Sequence, residues 1–168
     1  VAGELCDGVI LHSFNTPQYT RDVVLPNLQK GAERVGRSIE DITISGGGFI
    51  VAGKNEEELE KKRKETKTRI SFYASTRSYG DVMRTQGWND THEKLYRMSI
   101  DGKWNQMGDE ITDEMLDSFA VIDTYDQIAG KIKSTYGKYA TSVSFGMDTQ
   151  NEEEENILRD VIKNLKDS

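Results

Sequence analysis

The chain has 168 residues, 35% apolar and 30% charged, with a formal net charge of −7. That is enough for one domain with its own core, and too acidic for a surface that reads phosphate backbones. No apolar run nears the ~18 residues that span a bilayer, and the first eight residues lack the basic and apolar regions of a secretory leader. Cys6 is the only cysteine, which excludes an internal disulfide and multi-cysteine metal motifs. No nucleic-acid or membrane partner is expected, and cytoplasmic residence fits.

Val1 to Cys6 lacks both an initiator Met and a cap residue, and reads as the tail of a helix whose beginning is absent. Asp7-Gly8 is a turn signal, and Val9–His12 follows as a short strand. Thr16 is placed to cap a helix that has Pro17 at its first position. Arg21 to Val35 continues it, with Val24, Leu28, Ala32 and Val35 on one face, and Gly36 stops it. Pro26 should kink this helix, because its ring removes a backbone bond. Ile42 to Ala52 reads as a second strand, interrupted by Gly46-Gly47-Gly48, the mark of a bulge or a close backbone approach. Asn55 caps the next helix. Glu57–Lys61, Glu58–Lys62 and Glu60–Lys64 there form i,i+4 pairs in the favourable order. The charge run reads as a solvated face with no binding role.

Residues 70 to 120 show no strand pattern and read as a helical insertion. It carries the aromatic stretch Ile70–Tyr79, then Trp88 and Trp104. Thr112 starts a helix with Met115, Leu116 and Phe119 on one face. Thr124 and Gln127 match a capping box ahead of a helix through Ile128, Ala129, Ile132 and Tyr136. Ala140–Met147 alternates as a third strand. Asn151 begins a last helix with Ile157, Leu158, Val161, Ile162 and Leu165 as its stripe. There is no internal repeat and no low-complexity linker. Strands separated by helices predict right-handed crossovers and a parallel sheet in a single α/β domain over residues 1–168. Three strands are too few to close a barrel.

The blocks Ala2–Phe14, Thr16–Tyr19, Gly31–Arg37, Phe72–Thr76, Tyr79, Gly87-Trp88 and Phe119–Val121 resemble, in order and spacing, the luciferase-like monooxygenase superfamily. The likeness is to its deazaflavin-dependent (coenzyme F-420) branch. That resemblance implies a partial TIM (β/α)8 barrel, strands six to eight with their helices and the insertion over about 70–120. Family members are roughly twice as long, and their phosphate-anchoring loop and first strands lie before this chain's first residue. The parent enzyme would bind F-420 or FMN and pass a hydride to or from a small organic substrate. This chain alone would bind either one weakly or not at all and be inactive. In such barrels the site lies at the C-terminal ends of the strands, which leaves a rim at His12, Ser13, Phe14, Asn15 and Thr16. His12 is the candidate catalytic residue. Phe14, Thr16, Tyr73, Ser75, Thr76 and Tyr79 are the candidate substrate pocket.

Other residues read more plainly. His92, among Asn89, Asp90 and Glu93, reads as a surface residue. Trp88 and Trp104 read as packing anchors and Cys6 as a buried, inert thiol. Two histidines without cysteine partners give no metal site. Ser45 and Ser144 lack a Gly-x-Ser-x-Gly context, so a serine hydrolase is unsupported. The rival reading is a non-catalytic half-barrel, a binding or structural module without cofactor. In either case an open barrel exposes strand edges and an apolar face, so a homodimer or larger assembly is expected.

Overall fold

The computed structural model describes residues 1–145 and 149–167. A short helix α1 (Ala2–Leu5) leads into strand β1 (Gly8–Ile10). β1 pairs in parallel with β2 (Thr43–Ser45), Gly8 opposite Thr43 and Ile10 opposite Ser45. Ser45 in turn makes a parallel bridge to Ser142. Beside it the Thr141 N–H donates to the Ile44 carbonyl at 2.8 Å and the Gly46 N–H to Ser142 at 2.9 Å. β1, β2 and the bridge at Ser142 therefore run parallel in that order, but among the described residues the expected strand Ala140–Met147 is reduced to that one bridge and the far part of Ile42–Ala52 joins another sheet. Gly146 and Met147, the end of the third expected strand, lie outside the described residues.

The helix after β1 starts as its sequence dictates. The Thr16 hydroxyl accepts the Tyr19 N–H at 3.0 Å and Pro17 opens α2 (Pro17–Tyr19). The kink expected at Pro26 takes the form of a π-helical turn over Thr20–Val24, after which α3 (Leu25–Glu33) carries the proline in its first turn. Pro26 has no N–H to give and its ring crowds the carbonyl four residues back. A wider turn just ahead of it relieves both problems.

Between Ile42 and Gly53 one expected strand is two. β2 ends at Ser45, and β3 (Phe49–Gly53) joins a different sheet, in parallel with β4 (Ala120–Thr124). The glycines make the break. Gly46 has φ +126°, open to few other residues. A Cβ on Gly47 would come within 2.8 Å of the Tyr136 ring, and one on Gly48 would strike the Phe119 carbonyl. The Tyr136 hydroxyl accepts the Gly48 N–H at 2.8 Å. β4 follows α7 (Asp113–Phe119) with no turn residue between them. Its Ala-Val-Ile run therefore looks in sequence like more of the helical stripe. The expected capping box does not form. Thr124 is the last residue of β4, its N–H bound by the Asp123 carboxylate at 2.9 Å, and α8 (Ile128–Tyr136) begins after Gln127 without a side-chain cap.

One core gathers Phe14, Phe49, Leu59, Ile70, Leu116 and Phe119 among others. A second joins Val121, Ile128, Ile132, Tyr136 and Val161. The long helix α4 (Glu56–Ala74), capped by Asn55, packs on β3. It is followed by α5 (Gly80–Thr85) and α6 (Asn89–Ile100). Its charge run is not only a solvated face, since Lys62 Nζ donates to the Ala52 carbonyl at 2.5 Å. Lys131 Nζ does the same to Ile122 at 2.9 Å.

Three side-chain expectations change. His92 is buried, 4% exposed. Cys6 is exposed. Trp88 packs on the core as expected, whereas Trp104 is 46% exposed and meets another exposed ring, Phe72, at 6.0 Å. The last helix, α9 (Glu152–Asp167), starts at Asn151, whose side chain accepts the Glu154 N–H at 3.0 Å. Val161 of its stripe is buried, and Ile162 is exposed.

Tyr136→Phe should cost about 1–3 kcal/mol in urea unfolding, because the Gly48 N–H loses its acceptor. Burial pushes the Tyr136 phenol up from its ordinary 10.0 to about 12. The stability linked to keeping it protonated is therefore complete below pH 10 and lost as pH rises through 12. The wild-type advantage over Tyr136→Phe should shrink across that window, measured as unfolding midpoints.

Candidate functional site

The loop leaving β1 turns His12 and Phe14 toward the C-terminal end of α4 and the 3-10 turn Arg77–Tyr79. The His12 ring sits edge-on to Tyr73 at 4.8 Å and tilted against Tyr79 at 5.2 Å. Phe14, fully buried, meets Tyr73 at 5.9 Å, Tyr79 at 5.4 Å and stacks on Phe119 at 4.5 Å. Four of the residues singled out in the sequence thus form one aromatic cluster just past the end of a strand. Tilted and edge-to-face contacts of this kind fix ring positions beyond what burial alone supplies. His12 itself stays exposed, and its Nδ1 accepts the Phe14 N–H at 3.0 Å.

The other three candidates lie beside the cluster with their hydroxyls already engaged. Thr16 is buried, and its hydroxyl takes the Tyr19 N–H and the Gln86 side-chain amide at 2.7 Å. The Ser75 hydroxyl donates back to the Phe72 carbonyl at 2.7 Å, and Thr76 donates to the same oxygen at 3.4 Å. These bonds shape the end of α4 and the start of α2. Gln86 was not a sequence candidate. It lies 70 positions from Thr16, and no local pattern announces the contact.

The scaffold beneath the cluster is polar and specific. His92 Nδ1 lies 2.6 Å from the Ala74 carbonyl, so the buried imidazole donates to one of the carbonyls that α4 leaves open at its end. Gly80 makes room for it: a Cβ there would come within 2.9 Å of His92 Nε2. Arg77 lies 3.9 Å over the Tyr96 ring and 3.5 Å from Glu93, which anchors the turn carrying Tyr79 to α6.

A cavity of about 260 Å³ opens behind the cluster, lined by His12, Phe14, Asn15, Tyr19, Tyr79 and Asp81 among others. Burial, and then the nearby Asp81 carboxylate, push the Tyr19 phenol up. Asn15 is buried and its amide donates to the Thr20 hydroxyl at 2.7 Å. A larger apolar groove, about 520 Å³, runs past Tyr136, Val143 and Leu165 and shares no residue with the cluster. Among the described residues no group of three or more His, Cys, Asp or Glu side chains is placed to hold a metal ion. No helix there is long and apolar enough to cross a membrane.

Comparison with known proteins places this geometry. The luciferase-like monooxygenase family matches residues 1–142. Uncharacterized proteins of Mycobacterium bovis and Mycobacterium tuberculosis are 36% identical over 134 residues, 80% of this chain and 39% of theirs. The 5,10-methylenetetrahydromethanopterin reductase of Methanopyrus kandleri is 24% identical over 147 residues, 86% of this chain and 40% of that one. The solved structure of the coenzyme F-420-dependent tetrahydromethanopterin reductase from Methanopyrus kandleri shares the fold. Its TM-score is 0.70 at 23% identity, over 93% of this chain and 44% of that one. The chain thus spans about two fifths of the length of the relatives it matches.

Replacing His92 by Leu removes the donor from the Ala74 carbonyl and should cost about 1–3 kcal/mol in urea unfolding. The same change should loosen the end of α4, read as faster ring flips of Tyr73 by NMR.

Proposed function

Because this chain belongs to the luciferase-like monooxygenase family, we propose that it forms the substrate-facing rim of an F-420-dependent oxidoreductase. Under this reading the chain is one domain, residues 1–168. It supplies strands six to eight of a TIM barrel, with the helical excursion at about 70–120 folded over the rim. The observation that carries the proposal is the cluster of His12, Phe14, Tyr73 and Tyr79 just past the C-terminal end of β1, where barrels of this kind do their chemistry. F-420 is favoured over FMN because an F-420-dependent reductase is among the structures that share the fold.

The residues present fit one edge of a flat ring: aromatic rims and a ring nitrogen at an exposed position. The hydride chemistry belongs to the cofactor, F-420 or FMN. This chain's residues orient and shelter. Phe14 and Phe119 dry the floor beneath the rim. Tyr73 and Tyr79 flank His12 and present their faces to a small organic substrate. Thr16, Ser75 and Thr76 hold the two segments at their spacing.

The chain by itself should bind F-420 with millimolar rather than micromolar affinity and FMN more weakly still. NMR perturbations should centre on His12, Tyr73 and Tyr79. Stoichiometric micromolar binding by isothermal titration calorimetry would move the site elsewhere. A spectrum unchanged by either cofactor would favour the rival, a half-barrel that binds none.

The same reading includes self-association. Among the described residues β1 pairs only with β2, and Ile10 on it is 87% exposed, as is Leu5 of α1 at 76%. A bare edge with an apolar side chain standing from it invites a second copy. Sedimentation equilibrium at low micromolar concentration should give a dimer or larger assembly, and Ile10→Lys should shift it toward monomer. A folded wild-type monomer would remove this part of the proposal.

A further inference from the structure

We infer that His12 serves its site as a fixed hydrogen-bond donor through Nε2–H, and not as a neutral general base. The inference rests on the site reading above and adds the chemistry of one atom. The Phe14 N–H points at His12 Nδ1 from 3.0 Å, so Nδ1 is the acceptor of that bond. A neutral imidazole carries one proton, and with Nδ1 accepting, the proton is on Nε2. For Nε2 to act as a base, the proton would have to sit on Nδ1, where it would face the Phe14 N–H. That exchange trades a hydrogen bond for two opposed donors. Among the described residues no side chain or carbonyl takes up Nε2. The ring is nonetheless held between Tyr73 at 4.8 Å and Tyr79 at 5.2 Å, so the free donor has a defined place.

The ligand chemistry this recognises is an acceptor oxygen or nitrogen on the edge of a flat, carbonyl-bearing heterocycle. Such a group can pack against the tyrosine rims while taking the Nε2–H bond. A polarising donor aimed at a carbonyl stabilises negative charge there without exchanging a proton. Neutral histidine in this role is an established chemical device.

The chain supplies its own control. His92 Nδ1 lies 2.6 Å from a carbonyl, so it must donate, and that imidazole carries its neutral proton on Nδ1. The two histidines of the sequence are therefore opposite tautomers.

The test is a long-range 1H–15N spectrum of the imidazoles at a pH where both are neutral, followed by titration with F-420 to millimolar concentration. His12 should show the Nε2–H pattern and His92 the Nδ1–H pattern, and F-420 should shift His12 Nε2 together with the Tyr73 and Tyr79 rings. His12→Gln, which can place an amide N–H near the position of Nε2, should bind F-420 close to wild type. His12→Asn, which keeps an acceptor near Nδ1 and loses the outer donor, should bind about five-fold more weakly, one neutral hydrogen bond's worth. An Nδ1–H pattern at His12 overturns the inference whatever the ligand does. Shifts at Tyr73 and Tyr79 without any at His12 Nε2 overturn it and leave the site reading standing. Shifts at none of the three remove the site reading and the inference with it.

Discussion

The contact on which the most depends is that between the Tyr136 ring and the glycine triplet. A phenol laid against Gly47, with its hydroxyl holding the Gly48 N–H at 2.8 Å, admits no Cβ at either position. It stops β2 at Ser45 and redirects the chain into β3, so two short parallel pairs replace one longer strand. It also seats Gly48 directly beneath the Phe119 carbonyl. Phe119 stacks on Phe14, and Phe14 touches both tyrosines that flank His12. The position of the candidate site is thus connected, ring by ring, to a helix on the far side of the joint.

What could be read in the sequence was what is decided locally. Thr16, Asn55, Thr112 and Asn151 all accept the backbone N–H that a helix start leaves open, and each was legible because a cap involves residues three apart. The parallel order of the first two strands followed from the intervening helix. What could not be read was decided by partners distant in sequence. β4 is a strand because β3 lies beside it. His92 sits in a polar helix start, yet is buried because Gly80 opens a place for it and Ala74 offers a carbonyl. Thr124 looks like a cap and is instead the end of a strand.

The same division runs through the site. His12, Phe14, Tyr73 and Tyr79 were singled out as residue types suited to a pocket, and the fold brings all four together from segments about 60 positions apart. The hydroxyls of Thr16, Ser75 and Thr76 were read by the same logic, but a short hydroxyl on a helix end has a backbone carbonyl or N–H within reach. In each case that nearer partner takes it.

The two lysines that close on strand carbonyls have a further consequence. The Tyr125 N–H reaches Gly53 across the β3–β4 ladder at 3.1 Å, so alternation turns the Ala52 carbonyl the other way, outward. Lys62 ends on it, and Lys131 ends on the Ile122 carbonyl of the opposite border strand. With one outward carbonyl on each border already taken, the ribbon is a poorer template for a third strand, the first step toward filaments. Two ammonium groups therefore contribute to protection against that fate at high concentration. One of them sits in a run of acids followed by bases that, read as sequence, promises only hydration.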